Sequence, residues 1–167
     1  MKLQNDRLES RVVKETRRLL KLAAKHFGQS MPAVEIRFDL TGRAAGMVIF
    51  HVGGRPVIRY NRVLLNENPE PFIQQTPPHE AAHLVARTIY GGKIKPHGEE
   101  WKSVMTLFGV NPKRCHQFDT SRSGGRRMRR FTYHCGCTTH QLTSIRHRRV
   151  IEGRIYLCRA CGEALKE

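Results

Sequence analysis

Apolar residues recur every three or four positions at the start of the chain. Leu8, Val12 and Leu19 follow this spacing, with arginines and lysines between them. Such spacing places the apolar side chains on one face of a helix and the charged side chains on the other. The sequence therefore predicts an amphipathic helix that ends near Gly28, since glycine is typical of helix C-termini.

Between residues 33 and 60 the pattern changes to the two-residue period of β-strands. Residues 33–38 and 56–60 alternate between apolar and polar positions, and residues 47–50 form a short continuous apolar run. These segments predict three strands. Gly53 and Gly54 stand between the second and the third strand, which predicts a hairpin.

A helical pattern returns over residues 69–91, where Pro77 and Pro78 interrupt it. Because proline lacks the backbone N–H that continues a helix, we expect either a kink at this point or a new helix with Thr76 as its N-cap. A further helix is predicted over about residues 99–108.

The C-terminal part contains three short strand-like segments, at residues 131–133, 150–151 and 154–157. Together with the helices and strands predicted before them, these segments indicate the α+β class. A length of 167 residues suits one domain with a small appendage. Arginines become frequent and acidic residues rare after Pro112. We therefore expect three parts: a domain at 1–112, a basic connector at 113–130 and a subdomain at 131–167.

The chain carries 30 lysines and arginines against 14 aspartates and glutamates, a formal net charge of +16. This excess makes polyanions such as DNA, RNA or anionic lipid the expected partners. No apolar run reaches the roughly 18 residues of a transmembrane helix, and the N-terminus lacks the apolar segment of a signal peptide. We expect a cytosolic, monomeric protein without membrane attachment.

Residues 79–83 read HEAAH, an HExxH motif. Positions four apart lie on one face of a helix, so the imidazoles of His79 and His83 can bind one zinc ion. Glu80 points in another direction and can act as the general base that takes a proton from the attacking water. Two surface histidines are the alternative, but Leu84, Val85 and two alanines make this helix largely apolar. Polar side chains on a buried helix need partners, which favours the zinc interpretation.

A catalytic zinc site needs a third protein ligand and an open fourth position. His97 is the favoured third ligand, because the pair of glycines before it allows the chain to turn back towards the helix. Glu99 and Glu100 are the alternatives. Trp101 fits either a place beneath the metal or an ordinary place in the core. No residue that stabilises an oxyanion is evident, although Tyr90 is one option.

Four of the five cysteines form two pairs near the C-terminus, Cys135 with Cys137 and Cys158 with Cys161. In a reducing compartment this clustering indicates a metal site. Four thiolates are a common set for structural zinc, and His140 is the alternative to Cys137. A redox pair is the rival, but it normally lies in a thioredoxin-like βαβ unit, which is absent here. We expect a zinc ribbon whose metal supplies folding free energy.

Arginines and aromatic residues lie on both sides of these cysteines in the sequence. Arginines pair with phosphates, and aromatic rings stack on unpaired bases. A solvated basic face is the alternative, but the concentration of charge favours sequence-independent contact with DNA, single-stranded or structured. The candidate residues are Arg126, Arg127, Arg129, Arg130, Arg146, Arg148 and Arg149.

The motif at 79–83, the segments 96–101 and 133–142 and the cysteine pair at 158–161 together resemble the SprT family of zinc metallopeptidases. The resemblance covers roughly residues 8–165. It implies a small zincin-like domain with one catalytic zinc, for which His79, His83 and His97 are the ligands and Glu80 is the general base. The family includes the protease domain of the eukaryotic Spartan proteins, which degrade proteins crosslinked to DNA.

The expected function is therefore a zinc endopeptidase that acts on proteins associated with nucleic acid. The first alternative is a nucleic-acid-binding module in which both zinc sites are structural. An intact Glu80 argues against it, because a structural site needs no base. The second alternative is a metal-dependent hydrolase that acts on another bond.

Overall fold

The structure is a computed structural model that describes residues 2–120, 122–123 and 129–167. The chain divides into two compact units, Met1–Gly125 and Arg126–Glu167. The described residues form five helices and two small sheets, which confirms the predicted α+β class. None of the helices in this part of the chain is both long and apolar enough to cross a membrane.

The first helix, α1, spans Lys2–Phe27 as the apolar spacing predicted. Leu8, Val12 and Leu19 are buried, and the basic residues between them are exposed. The buried hydroxyl of Thr16 lies 2.8 Å from the hydroxyl of Tyr60. Because Tyr60 belongs to the sheet, this contact joins the helix to the sheet by a hydrogen bond inside the core.

The sheet of the first unit contains the three predicted strands, β1 (Glu35–Arg37), β2 (Gly46–Ile49) and β3 (Val57–Tyr60). Strand β3 is central, parallel to β1 and antiparallel to β2. The antiparallel pairing of β2 with β3 confirms the predicted hairpin. As a result β2 lies at the edge of the sheet, where its first residue faces the candidate site.

A short helix that the sequence did not predict, α2 (Arg62–Glu67), follows β3 directly. Its N-cap is Asn61, whose side-chain oxygen accepts hydrogen bonds from the N–H groups of Val63 and Leu64. The amide nitrogen of Asn61 donates to the carbonyls of Gly42 and Ala44, at 2.9 and 3.1 Å. One buried side chain therefore starts a helix and holds the loop that leads into β2.

The central helix, α3, runs from Pro69 to Tyr90 without interruption. Of the two alternatives, a new helix with Thr76 as its N-cap is therefore wrong, and Pro77 and Pro78 lie inside a single helix. Proline removes backbone hydrogen bonds from a helix. Here the side chains of residues 76–78 are buried, and the helix packs on α1, on β2 and on α4 (Glu99–Leu107). This packing outweighs the lost hydrogen bonds.

The second unit is a hairpin followed by a helix: β4 (Arg130–His134), β5 (Thr139–Thr143) and α5 (Ser144–Ile151). The strand expected at 150–151 is wrong, because these residues end α5. The segment 154–157 is not a strand either, since only Leu157 forms an isolated bridge, to Ala164. Few apolar side chains are buried in this unit, so short-range patterns there carry little information about the fold.

The Asn61 cap leads to a prediction about stability. The change Asn61→Ala leaves two carbonyls and two N–H groups without their side-chain partner, so we expect the free energy of unfolding to fall by about 1–3 kcal/mol. Urea denaturation of the purified variant measures this loss. Asn68→Ala is the control with a smaller expected loss, because the Asn68 side chain makes a single hydrogen bond, to the carbonyl of Leu64 at 3.3 Å, and none to the N-terminus of α3. Equal losses in the two variants would contradict the role assigned to Asn61.

Candidate metal centre and catalytic cleft

Helix α3 carries His79 and His83 one turn apart, and the loop after it brings His97 back to them. The Nε2 atom of His79 lies 3.2 Å from the Nε2 atom of His83 and 3.2 Å from that of His97. The ligand atoms of all three residues lie within 4.8 Å of one another. The structure thus brings together the three histidines that the sequence had suggested as ligands.

The three imidazoles fit a metal ion in distance and in chemistry. Nitrogens 2.0–2.1 Å from a tetrahedral zinc ion would be about 3.3 Å apart, close to the observed separations. Burial lowers the pKa of His83 to about 3 and that of His79 to about 4. Neutral imidazoles are the form that binds a cation, so this group could hold a metal ion.

The surroundings of the histidines fix their orientation. The ring of His79 is hydrogen-bonded to the backbone of Lys113. The buried indole of Trp101 donates to the backbone carbonyl of His79 at 3.3 Å, and its ring lies 4.8 Å from that of His97. Partners of this kind orient metal-binding histidines in known metal sites. Trp101 therefore lies beside the histidines and also in the hydrophobic core, so it meets both descriptions that fitted the sequence.

The alternatives for the third ligand lie elsewhere. Glu99 is exposed and pairs with Lys102 at 2.7 Å. Glu100, in the first turn of α4, also stands outside the three-histidine group among the described residues. Tyr90 is half-exposed and contacts Phe27 edge-on, and it lines neither of the cavities described below.

Glu80 is almost fully buried, although the histidines beside it are partly accessible. A Cβ atom built on Gly46 would lie 2.5 Å from Cγ of Glu80 and 2.6 Å from its Oε1 atom. Only glycine leaves room for the Glu80 side chain at this point of β2. Burial raises the pKa of Glu80 to about 8, and a cation beside the carboxylate would act in the opposite direction.

Two cavities of about 340 and 410 Å³ meet at this site. The first extends towards residues 110–116, and the second lies between β2 and residues 92–97. Both are lined by Gly46, His79, Glu80 and Arg114. His79 and Glu80 therefore border both cavities of this cleft, and His83 and His97 border the second.

The second unit assembles a separate group from Cys135, Cys137, Cys158 and Cys161. Their sulfur atoms lie within 4.8 Å of one another, with Cys135 3.4 Å from Cys137 and Cys137 3.6 Å from Cys158. Thiolates bound to zinc at about 2.3 Å would be roughly 3.8 Å apart. Four sulfurs at such distances could hold a metal ion, which supports a metal site over a redox pair.

His140, the alternative to Cys137, also lies close to this group. Its Nε2 atom is 3.3 Å from the sulfur of Cys135. The four cysteines form a complete set without it, so the geometry places His140 as a hydrogen-bond partner of Cys135. The backbone N–H of Ala160 donates to the sulfur of Cys158 at 3.4 Å, and such contacts stabilise thiolates.

The candidate arginines of the second unit lie on two elements. Arg146, Arg148 and Arg149 belong to α5, where Arg148 pairs with Glu152 at 2.9 Å. The guanidinium of Arg129 lies 5.2 Å from the ring centroid of Phe131. Arg130 begins β4 and is exposed. Arg126 and Arg127 lie outside the described residues.

Comparison with known proteins adds evidence of another kind. The model of the SprT-like family matches residues 16–121, more than half of the chain. The chain belongs to the SprT-like family. The match contains the whole three-histidine group and Glu80, so the site described above lies in the part that defines the family.

Relatives in this family share sequence beyond the matched region. Protein SprT of Pseudomonas putida is 39% identical over 146 residues, which cover 86% of this chain and 85% of that protein. Protein SprT of Pseudomonas savastanoi pv. phaseolicola is 39% identical over 163 residues, 96% of this chain and 93% of that protein. Protein SprT of Pasteurella multocida is 38% identical over 156 residues. No solved structure matches the chain significantly.

Two residues of the cleft were missed by the sequence analysis. In the sequence, Gly46 looks like an ordinary turn glycine. Its contact with Glu80 arises only when β2 packs on α3. Arg114 lies in a basic stretch after α4 and resembles its neighbours there. No periodicity or motif distinguishes either residue, because each depends on contacts between distant segments.

The two groups predict independent metal binding. Cys158→Ser should remove one metal ion per chain and unfold the hairpin of the second unit, while the ion at the histidines stays. Metal analysis of the purified protein measures the stoichiometry. Cys115→Ser is the matched control, since Cys115 is exposed and stands outside the four-cysteine group among the described residues. Loss of both ions in Cys158→Ser would contradict the separation of the sites.

Proposed function

We propose that this protein is a zinc-dependent endopeptidase that acts on proteins bound or crosslinked to DNA. In this proposal a zincin-like domain carries the catalytic zinc, and a C-terminal zinc ribbon carries a structural zinc. The observation on which the proposal rests is the convergence of His79, His83 and His97 beside a buried Glu80, at the wall shared by two cavities.

The donor set supports zinc as the catalytic metal. Three imidazoles and an open fourth position are typical of catalytic zinc sites, whereas four thiolates are typical of closed structural sites. Zinc bound by the three histidines would supply Lewis acidity, which polarises a carbonyl and lowers the pKa of a water molecule.

Glu80 is assigned the movement of protons in this reaction. Its carboxylate accepts one proton from the attacking water as the water oxygen bonds to the carbonyl carbon of the scissile peptide. The C–N bond then breaks, and Glu80 passes that proton to the leaving nitrogen. Because Gly46 has no side chain, the Glu80 carboxylate has room to occupy this position. The products are a carboxylic acid and an amine, which become a carboxylate and an ammonium group when the acid's proton passes to the amine.

The shape of the cleft supports cleavage within a chain. Two cavities meet at Glu80, so a polypeptide that occupied both would present an internal peptide bond to this residue. Strand β2 lies at the edge of its sheet, and Gly46, Met47 and Val48 line one cavity. An extended peptide can pair with such an edge through backbone hydrogen bonds.

The basic residues of the second unit support DNA as a partner. Arg146, Arg148 and Arg149 share a short helix on which every residue is at least partly accessible. Phe131 stacks on His147 with ring centroids 3.5 Å apart, beside Arg129. Guanidinium groups bind phosphates, and accessible aromatic faces stack on bases of single strands. Phe131 is partly accessible, with one face of its ring covered by His147.

The proposed reaction is tested by Glu80→Gln. We expect this variant to keep its zinc, because the histidines hold the ion, and to lose proteolysis by about 10²- to 10⁴-fold, because no base remains. Casein cleavage with and without single-stranded DNA gives the rate, and metal analysis gives the occupancy.

Glu99→Gln is the matched control for this experiment. It makes the same chemical change at an exposed carboxylate outside the histidine group, so it should keep the wild-type rate. Proteolysis at the wild-type rate in Glu80→Gln would show that the mechanism is wrong. A zinc-loaded wild-type protein that cleaves no protein substrate would favour the alternative of a non-catalytic nucleic-acid-binding module.

The proposed DNA contact is tested by the salt dependence of binding. Replacing Arg146, Arg148 and Arg149 by serine should reduce the slope of log affinity against log salt on single-stranded DNA by about two units, since each phosphate contact contributes about 0.7. The control removes the same charge from α1, at Arg7, Arg17 and Lys21. If both triple variants reduced the slope equally, the net charge of the protein would explain DNA binding, and local contacts of α5 with phosphates would not.

A further inference from the structure

One basic side chain borders both cavities of the cleft. Arg114 belongs to the lining of each, together with His79 and Glu80. Lys113 lines only the first cavity, and Arg87 lines only the second. Arg114 therefore lies where the two cavities meet, which is also where the histidines and Glu80 meet.

The guanidinium of Arg114 is available to a ligand. The residue is exposed, and no ion pair or hydrogen bond engages its side chain within the described residues. Burial is the main cause that lowers the pKa of His97, and the positive charge of Arg114 is the second cause. The guanidinium is thus near the candidate metal centre and still free to donate.

Two other candidate donors in the cleft, His116 and Arg87, are already engaged. His116 lines the first cavity, but its Nε2 atom lies 3.0 Å from the carbonyl of Arg43 and its Nδ1 atom accepts from the N–H of Phe118. Arg87 stacks over the ring of Phe50 at 4.3 Å. Tyr90, the option from the sequence, borders neither cavity.

Hydrolysis of a peptide creates a need for such a donor. Negative charge develops on the carbonyl oxygen as the attacking water bonds to the carbonyl carbon, and a fixed cation or N–H donor beside that oxygen lowers the barrier. Arginine suits this task because it remains charged at every relevant pH and offers several N–H donors in one plane.

We propose that Arg114 is a catalytic residue that binds the carbonyl oxygen of the scissile peptide and stabilises the charge that develops on it. The inference rests on the proposed peptidase function and adds the group that the sequence analysis left unassigned. Because the charge is fully developed only in the transition state, the contribution of Arg114 falls mainly on kcat.

The test compares Arg114→Met with Arg114→Lys in the full-length, zinc-loaded protein. Loss of one donor to a developing oxyanion lowers kcat by about 10²- to 10³-fold, and we expect this loss in Arg114→Met with little change in KM. Arg114→Lys keeps the charge and should keep a larger share of kcat. Lys93→Met removes one charge from an exposed site outside both cavity linings and should leave kcat unchanged.

A binding measurement tests the same contact without turnover. A phosphinic peptide carries a tetrahedral anion in place of the scissile carbonyl, so its Kd should rise in Arg114→Met by a factor similar to the loss in kcat. An ordinary peptide substrate measured in the Glu80→Gln background should bind equally well with and without Arg114→Met. A merely structural role of Arg114 would weaken both ligands alike.

The outcomes separate this inference from the proposed function. If wild-type protein cleaves its substrate and Arg114→Met retains both kcat and phosphinic-peptide affinity, the role of Arg114 is wrong and the peptidase function stands. If the zinc-loaded wild-type protein neither cleaves proteins nor binds the phosphinic peptide, the peptidase function fails and the role of Arg114 fails with it.

Discussion

Helix α3 is packed inside the first unit and also carries polar side chains in its buried part. The arrangement of the elements around it depends on this constraint. Its side chains pack on α1, α4 and β2, and residues such as Phe72, Leu84 and Val85 are fully buried. The same helix carries His79, Glu80 and His83. Each of these polar groups needs a partner inside the protein, because an unpaired buried polar group is costly.

Three different segments surround these groups. Trp101 of α4 donates to the backbone of His79, the loop after α3 supplies His97, and β2 brings Gly46 against Glu80. Ala81 and Ala82 are fully buried on the same helix, and their small side chains allow close packing around the motif. The packing that forms the core therefore also orients the groups assigned to chemistry.

The second unit depends on a different source of stability. Its buried apolar residues are few, among them Tyr133 and Leu142, whereas the core of the first unit is extensive. A core of this size supplies little folding free energy. Metal binding by the four cysteines would supply the remainder, as it does in small zinc domains. Each unit draws its candidate ligands from its own residues, so the two sites can be gained or lost separately.

Local chemistry along the chain was enough to determine much of this protein. The apolar spacing predicted α1, and Gly53 and Gly54 between two strand-like segments predicted the β2–β3 hairpin, because both depend on neighbouring residues only. The i, i+4 spacing of His79 and His83 and the two cysteine pairs likewise identified ligand candidates that the structure brings together. Tertiary packing decided the remainder. It kept α3 continuous through Pro77 and Pro78, since burial of that segment outweighs the missing hydrogen bonds. It also placed Gly46 on Glu80 and Arg114 at the junction of the cavities. These contacts join residues more than 30 positions apart, and no local pattern encodes such distances.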